Sequence, residues 1–242
     1  MIEVFPDQES LSRATAELFA AEAGRAEAAH GRFAVLLAGG ETPRRTYELL
    51  AEEPLRHRVP WGRVHIFWGD ERCVPPEDPR SNVRMARRAL LDRVPVPAGQ
   101  IHPIAGDLPP RQAAAAYEAA LRAFFGPELP RFDLVLLGLG ADGHTASLFP
   151  CSLALDERER WTAVTQRANE EIKRITVTAP LLNRAALVVF LVTGAEKAAV
   201  LQEVLESSPE PHRHPAQLVK PAHGAVRWLV DRAAARLLRP GL

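Results

Sequence analysis

Short apolar runs of strand length punctuate the chain: Phe33–Ala38, Val64–Trp68, Phe132–Leu137, Ala186–Val192 and Val226–Val230. Runs that are apolar at nearly every position, rather than at alternate ones, belong to strands covered on both faces. Helical patterns lie between them. Ser10 to His30 repeats Ala, Leu and Phe at helical spacing and stops at Gly31. Thr42-Pro43 offers an N-cap followed by a first-turn proline. Asn82–Asp92, Pro109–Phe125, Gly194–Glu206 and Asp231–Leu238 read as further helices. Strands alternating with helices predict an α/β chain, a mostly parallel sheet between helical layers. Trp161–Thr165 and Arg174–Thr178 add two strands, and Ile101–Ile104 a short one. Pro209, Pro211 and Pro215 mark a long excursion that reads as a lid or loop, so residues 1–242 are read as a single domain.

Composition narrows the partners. Among 242 residues, 30 basic side chains balance 30 acidic ones, which leaves no basic field for nucleic acid or an anionic membrane. Hydrophobic residues make up 47%, which is enough for a sizeable core. The apolar runs fall far short of the roughly 20 residues that a membrane-spanning helix needs. MIEVFPDQES lacks the basic flank and apolar centre of a signal peptide. Cys73 and Cys151 form no disulfide framework or metal-ligand spacing, and both read as small apolar residues. The expectation is a reduced, cytoplasmic protein, a monomer or weak dimer, with no metal site.

In an open α/β sheet, ligands gather beyond the carboxyl ends of the strands. That rule directs attention to loops 38–43, 69–82, 138–150 and 193–197. The third, GLGADGHTASLFP, spells G-x-G-x-x-G with Gly138, Gly140 and Gly143. A dinucleotide site also needs a helix after the glycines and an acidic strand end roughly 20 positions on. Here Pro150 closes the segment quickly, and Asp156-Glu157-Arg158-Glu159 is no buried strand end, so NAD is not expected. The same glycines leave room for chemistry. A histidine, with an ordinary pKa near 6.5, can accept a proton, and His144 stands two residues after an aspartate, Asp142, that can orient it. The alternative is a histidine that caps a helix and an aspartate that supports a turn.

The other loops are open to two readings each. Gly39 and Gly40, followed by Thr42, combine exposed amides, a hydroxyl and a helix N-terminus, which suits an anion or an ordinary tight turn. Gly194-Ala195-Glu196-Lys197 repeats the arrangement and adds a lysine, a ligand for the anion or a solvated surface residue. Asp70, Glu71 and Arg72 can hold sugar hydroxyls and a phosphate, or form a structural ion pair. Ser81 and Asn82 read as a helix cap, and His65 as structural. There is no G-x-S-x-G elbow and no H-E-x-x-H pair.

Taken in order, AGGETP (38–43), FWGDERCVP (67–75), SN (81–82), FDLVLLGLGADGHTASLFP (132–150), RITVTAPLLN (174–183) and LVTGAEK (191–197) closely resemble the 6-phosphogluconolactonase family. The resemblance implies a modified Rossmann-like three-layer sandwich, shared with glucosamine-6-phosphate deaminase, that binds no dinucleotide and needs no cofactor. It implies hydrolysis of a sugar-phosphate lactone, 6-phospho-D-glucono-1,5-lactone, in the pentose phosphate pathway. Its implied residues are His144 as base on the attacking water, Asp142 as its orienting partner, and Asp70 on sugar hydroxyls or the water. Gly39, Gly40, Thr42, Arg72 and Lys197 would grip the phosphate, joined by Arg174, although Arg167 and Lys173 compete for that place. Backbone amides of 138–143 are the candidate oxyanion donors.

The deaminases resemble Asp-Glu-Tyr where this chain has Asp70-Glu71-Arg72, and Ile-Ala-Phe-Asn-Glu-Pro where it has Thr145 to Pro150. The missing glutamate favours the lactonase over a deaminase-like isomerase. A non-catalytic sugar-phosphate sensor is the other alternative, and the intact Asp142-Gly143-His144 argues against it. One segment departs from the family pattern: Ala168-Asn169-Glu170-Glu171-Ile172-Lys173 stands where a proline-rich stretch is common.

Overall fold

The computed structural model describes residues 1–126 and 130–239. Its strands, in chain order, are β1 (Ile2–Phe5), β2 (Phe33–Leu37), β3 (Val64–Trp68), β4 (Asp70–Arg72), β5 (Leu134–Gly138), β6 (Thr162–Gln166), β7 (Lys173–Val177), β8 (Leu187–Val192) and β9 (Ala225–Asp231). Six of them form one sheet in the order β1-β9-β8-β5-β2-β3, with every neighbouring pair parallel. All five apolar runs lie in this sheet.

Helices cover both faces. Phe33 is in register with Val64, while Phe67 is in register with Leu36, so the two phenylalanines point to opposite sides. Phe19, from helix Gln8–His30, meets Phe33 edge-on at 5.2 Å. Phe124, from helix Pro110–Phe125, packs on Phe67 at 5.0 Å. The result is the three-layer α/β arrangement that the strand–helix alternation predicts. Among the described residues, no helix is long and apolar enough to cross a membrane.

The remaining strands make a small antiparallel sheet, β4-β7-β6. Gly69 joins the two sheets: its N–H donates to Leu37 O at 2.9 Å, and its own carbonyl accepts from Val177 N at 2.8 Å. The chain therefore leaves the main sheet at Trp68 and immediately pairs with β7. This turn carries Asp70 and Arg72 over the carboxyl ends of the central strands.

Strand order reverses beside β2. The chain moves from β2 to β3 on one side and later fills β5, β8 and β9 on the other. The crevice between β2 and β5 is thus the switch point where such sheets bind ligands.

Several local expectations need correction. The helix after Gly39 begins at Glu41 with Gly40 as N-cap, so Thr42 is inside the first turn and caps nothing. Asn82–Ala86 is regular helix, but Arg87–Leu91 continues as a wider π-type turn. Ile101 forms a single bridge with Ile66 rather than a strand. After Gly194 a 3-10 turn, Ala195–Lys197, precedes helix Ala198–Glu206. The last helix is short, Arg232–Ala235.

Candidate functional site

Two buried tyrosines set the ends of the central strands. The Tyr47 hydroxyl donates to Ala38 O at 2.8 Å and accepts from Ala38 N at 3.0 Å. The Tyr117 hydroxyl does the same at Trp68, at 2.9 Å for both bonds. Each clip satisfies both backbone polar groups of a residue at the end of its strand, Trp68 as the last of β3 and Ala38 just past β2, where a functional loop begins. Beyond them lies a cavity of about 240 Å³, lined by Gly39, Gly40, Asp70, Arg72, His144, Arg174 and Lys197 among others. Residues far apart in sequence thus meet at the β2–β5 crevice. A larger groove of about 1010 Å³, between helix Pro110–Phe125 and β6, is lined by none of these residues, although Lys173 is part of its lining.

His144 is largely buried, and its Nδ1 is hydrogen-bonded to Asp142 Oδ1. A carboxylate only accepts, so Nδ1 carries a proton, and in the neutral ring Nε2 holds the lone pair. Burial alone would raise the Asp142 carboxyl. The His144 hydrogen bond and charge, the His144 backbone N–H and the Arg167 guanidinium outweigh it, and hold Asp142 well below the usual carboxylate range. Phe149 packs against the imidazole, with ring centroids 4.8 Å apart.

Two glycines make this geometry possible. A Cβ on Gly140 would sit 2.0 Å from His144 Nδ1 and 2.7 Å from Asp142 Oδ1. Gly143 has φ 79°, a left-handed conformation that favours glycine. Its carbonyl accepts from Ala216 N at 3.0 Å, and Cys151 N donates to His212 O at 2.9 Å. The proline-rich excursion is therefore packed against the His144 loop as a support, with His214 and Ala216 buried. The loop's own turn uses two of the candidate oxyanion amides: Gly140 N donates to His144 O, and Gly143 N to Gly140 O.

The acidic pair divides. Asp70 lines the cavity, and its carboxylate accepts from Ser147 Oγ at 2.6 Å and Asn82 Nδ2 at 3.1 Å. Glu71 faces away and accepts from Ser81 Oγ and from the N–H groups of Arg72, Asn82 and Val83, at 2.7–2.8 Å. It anchors the start of helix Asn82–Ala86, so its structural role is hydrogen bonding to a helix N-terminus rather than ion pairing. Burial raises its carboxyl above the ordinary value despite these donors. Ser81 is the helix N-cap, while the Asn82 side chain lies against Gly39, where a Cβ would approach its Oδ1 to 2.1 Å.

Three cations line the same cavity, Arg72, Arg174 and Lys197. Arg72 and Arg174 are direct partners across β4 and β7. The Nε of each is buried without a hydrogen-bond partner. Arg72 spends one terminal nitrogen on Arg80 O at 2.6 Å, and Arg174 pairs with Glu170 at 2.6 Å. Lys197 has no salt-bridge partner among the described residues and lines the same cavity. Of the competing basic residues, Lys173 is exposed on the far side and Arg167 stands behind Asp142 at 3.1 Å, leaving Arg174 on the cavity. Thr42 is not among the residues lining the cavity, and its hydroxyl is hydrogen-bonded to Thr193 Oγ1 at 2.7 Å.

The family model described as glucosamine-6-phosphate isomerases/6-phosphogluconolactonase matches residues 6–228. The chain belongs to that family. Within the glucosamine-6-phosphate isomerase/6-phosphogluconolactonase family, a 6-phosphogluconolactonase of Synechocystis sp. is 46% identical over 222 residues, covering 89% of each chain. The solved 6-phosphogluconolactonase of Trypanosoma brucei superposes with a TM-score of 0.86 at 30% identity, covering 99% of this chain and 98% of that one. A monomeric glucosamine-6-phosphate deaminase superposes with a TM-score of 0.83 at 20% identity over 98% and 99% of the two chains, which shows the shared fold alone.

Some contributors to this family member's site escape a sequence reading. Ser147 lies inside the glycine motif, yet nothing local says that its hydroxyl reaches Asp70, 77 positions away. The two tyrosines look like ordinary core residues of their helices. Asn82 is visible only as half of a capping pair, and its contact with Gly39 follows from tertiary packing.

Proposed function

We propose that this chain hydrolyses 6-phospho-D-glucono-1,5-lactone to 6-phospho-D-gluconate, the lactone-opening step of the pentose phosphate pathway, with His144 as general base. The observation that carries the proposal is the contact of His144 Nδ1 with the Asp142 carboxylate, which assigns the ring proton to Nδ1. With Nδ1–H given to Asp142, Nε2 of the neutral ring is free to serve a water in a cavity that Arg72, Arg174 and Lys197 also line.

A δ-lactone is an activated ester, so water can attack it without a covalent enzyme intermediate. The water oxygen bonds to C1 as its proton passes to His144 Nε2. Asp142, kept ionised, stabilises the imidazolium that forms. The tetrahedral intermediate then collapses, the C1–ring oxygen bond breaks, and the departing oxygen takes the proton back from Nε2. General base action of this kind contributes about 10²–10⁴ in rate.

Arg72, Arg174 and Lys197 are proposed to hold the 6-phosphate. Like charges directly opposite on neighbouring strands are unfavourable unless something lies between them. Arg72 and Arg174 are such a pair, with two unpartnered Nε groups, and an anion would satisfy both. The first amides of helix Glu41–Leu50, after Gly39 and Gly40, add the positive end of a helix dipole. Binding energy at this remote group can align C1 for attack. Asp70, oriented by Ser147 and Asn82, is proposed to accept from sugar hydroxyls.

Purified protein offered 6-phosphogluconolactone and glucosamine 6-phosphate in parallel tests the reading. Acid release from the lactone above the spontaneous rate, with no ammonia from the amino sugar, is the expected result. Ammonia release without lactone opening would replace it with the deaminase.

A further inference from the structure

A line of charged contacts leads from the cavity to the back of His144. Asp142 gives Oδ1 to His144, and its Oδ2 accepts from Arg167 Nη2 at 3.1 Å. Arg167 Nη1 lies 3.4 Å from Glu170 Oε1. The other Glu170 oxygen, Oε2, holds Arg174 Nη2 at 2.6 Å. Arg167 and Glu170 lie in the turn between β6 and β7, and Arg174 is the second residue of β7. Of the three, Glu170 falls in the segment 168–173 in which this chain departs from the family's proline-rich pattern.

The hairpin is built to hold that geometry. Asn169 takes the left-handed conformation at its tip, with φ 65°. Glu170 N donates to Arg167 O at 3.1 Å, and Gln166 Nε2 donates to Glu170 O at 2.6 Å. Arg167 is thereby directed at Asp142 from a turn with its own hydrogen bonds. Asp142 itself sits on a loop between Ala141 and Gly143, neither of which has a side chain that can hydrogen-bond its carboxylate. Both His144 contacts, from Nδ1 and from the backbone N–H at 3.3 Å, fall on Oδ1. The Arg167 bond holds the opposite oxygen and so fixes the rotation of the carboxylate about its terminal torsion.

We propose that Arg167 is a positioning residue for the hydrolysis: clamped by Glu170, it fixes the Asp142 carboxylate so that His144 Nε2 stays aimed at the attacking water. The proposal rests on His144 being the base. Arginine suits the task because its planar fork can bond Asp142 and Glu170 at once, which a lysine ammonium does less directionally. Glu170 also holds Arg174, so the general base and one phosphate-side cation share an anchor.

Arg167→Met tests this by the division between kcat and KM. It should lower kcat about 10-fold, as expected for a modest misalignment, with KM for the phosphorylated lactone nearly unchanged. Arg167→Lys should recover part of the loss. Because Arg167 acts through Asp142, Arg167→Met should cost nothing further in an Asp142→Asn background. A wild-type kcat in Arg167→Met, or the same loss in both backgrounds, overturns the proposal. His144→Ala, run alongside, separates the two levels: a near-normal kcat there defeats the base assignment itself. A collapsed His144→Ala rate beside an intact Arg167→Met rate defeats only the clamp.

Discussion

Gly140→Ala should disable the site while leaving the fold standing. Gly140 is not in a left-handed conformation, so alanine fits its backbone without strain. The added Cβ, however, would lie 2.0 Å from His144 Nδ1 and 2.7 Å from Asp142 Oδ1, inside the 3.0 Å that real Cβ contacts essentially never breach. The imidazole must therefore retreat by about 1 Å or turn away from Asp142, and a misplacement of about 1 Å can cost about 100-fold in rate. Both the direction of Nε2 and the partner on Nδ1 change together. The expected outcome is a kcat about 100-fold below wild type, with the midpoint of thermal unfolding within a few degrees. Gly138→Ala is the internal control, since its Cβ meets nothing within 4 Å. It lines the cavity, so its effect should appear in KM rather than kcat. Acid release in a weakly buffered medium, corrected for spontaneous opening, measures both. A Gly140→Ala kcat within about 3-fold of wild type would refute the claim that the His144–Asp142 pair depends on this close approach.

Three further outcomes follow from other contacts. Arg72→Ala and Lys197→Ala should each raise KM for the phosphorylated lactone by roughly 10- to 100-fold, since charge-assisted bonds are worth about 1.5–3 kcal/mol, and should barely change KM for unphosphorylated gluconolactone. Glu71→Ala should lower stability by about 3 kcal/mol or more, because three backbone N–H groups lose their buried acceptor, and chemical denaturation measures it. Burial lowers the pKa values of His65 and His102, whose rings lie 5.6 Å apart, below the ordinary 6.5. The unfolded chain then binds more protons than the fold as pH drops, so their contribution is full above the ordinary value and is lost as pH falls from it through the depressed one. His102→Phe should accordingly shrink the drop in melting temperature between pH 7 and pH 5, and an unchanged drop would count against it.

The parts of the fold that were legible in sequence are those where burial dictates residue type. Phe33 to Leu37 is buried at all five positions, so it reads as a strand from composition alone. β4 is the reverse case. Asp70-Glu71-Arg72 has no strand character, and it is extended only because β7 pairs with it. β1 is equally silent, three partly buried residues and an exposed Val4 held by register with β9. Thr42 illustrates a local rule overridden: threonine before proline is a good N-cap, yet Gly40, at φ 102°, starts the helix earlier. Within the site, the residue types in the loops pointed to His144, Asp142 and Lys197. The arrangement behind them was hidden, because Ser147 on Asp70 and Arg167 on Asp142 are contacts across long stretches of sequence.

The most direct test of the account compares wild type with His144→Ala on 6-phosphogluconolactone, each measured against spontaneous opening. His144 Nε2 is held to take the proton from the attacking water, so removing the ring should lower kcat by at least about 100-fold. The phosphate-side cations are untouched, so 6-phosphogluconate should still bind the variant, as titration calorimetry would show. A variant that keeps near-normal kcat, or a wild type that opens the lactone no faster than water does, would contradict the account.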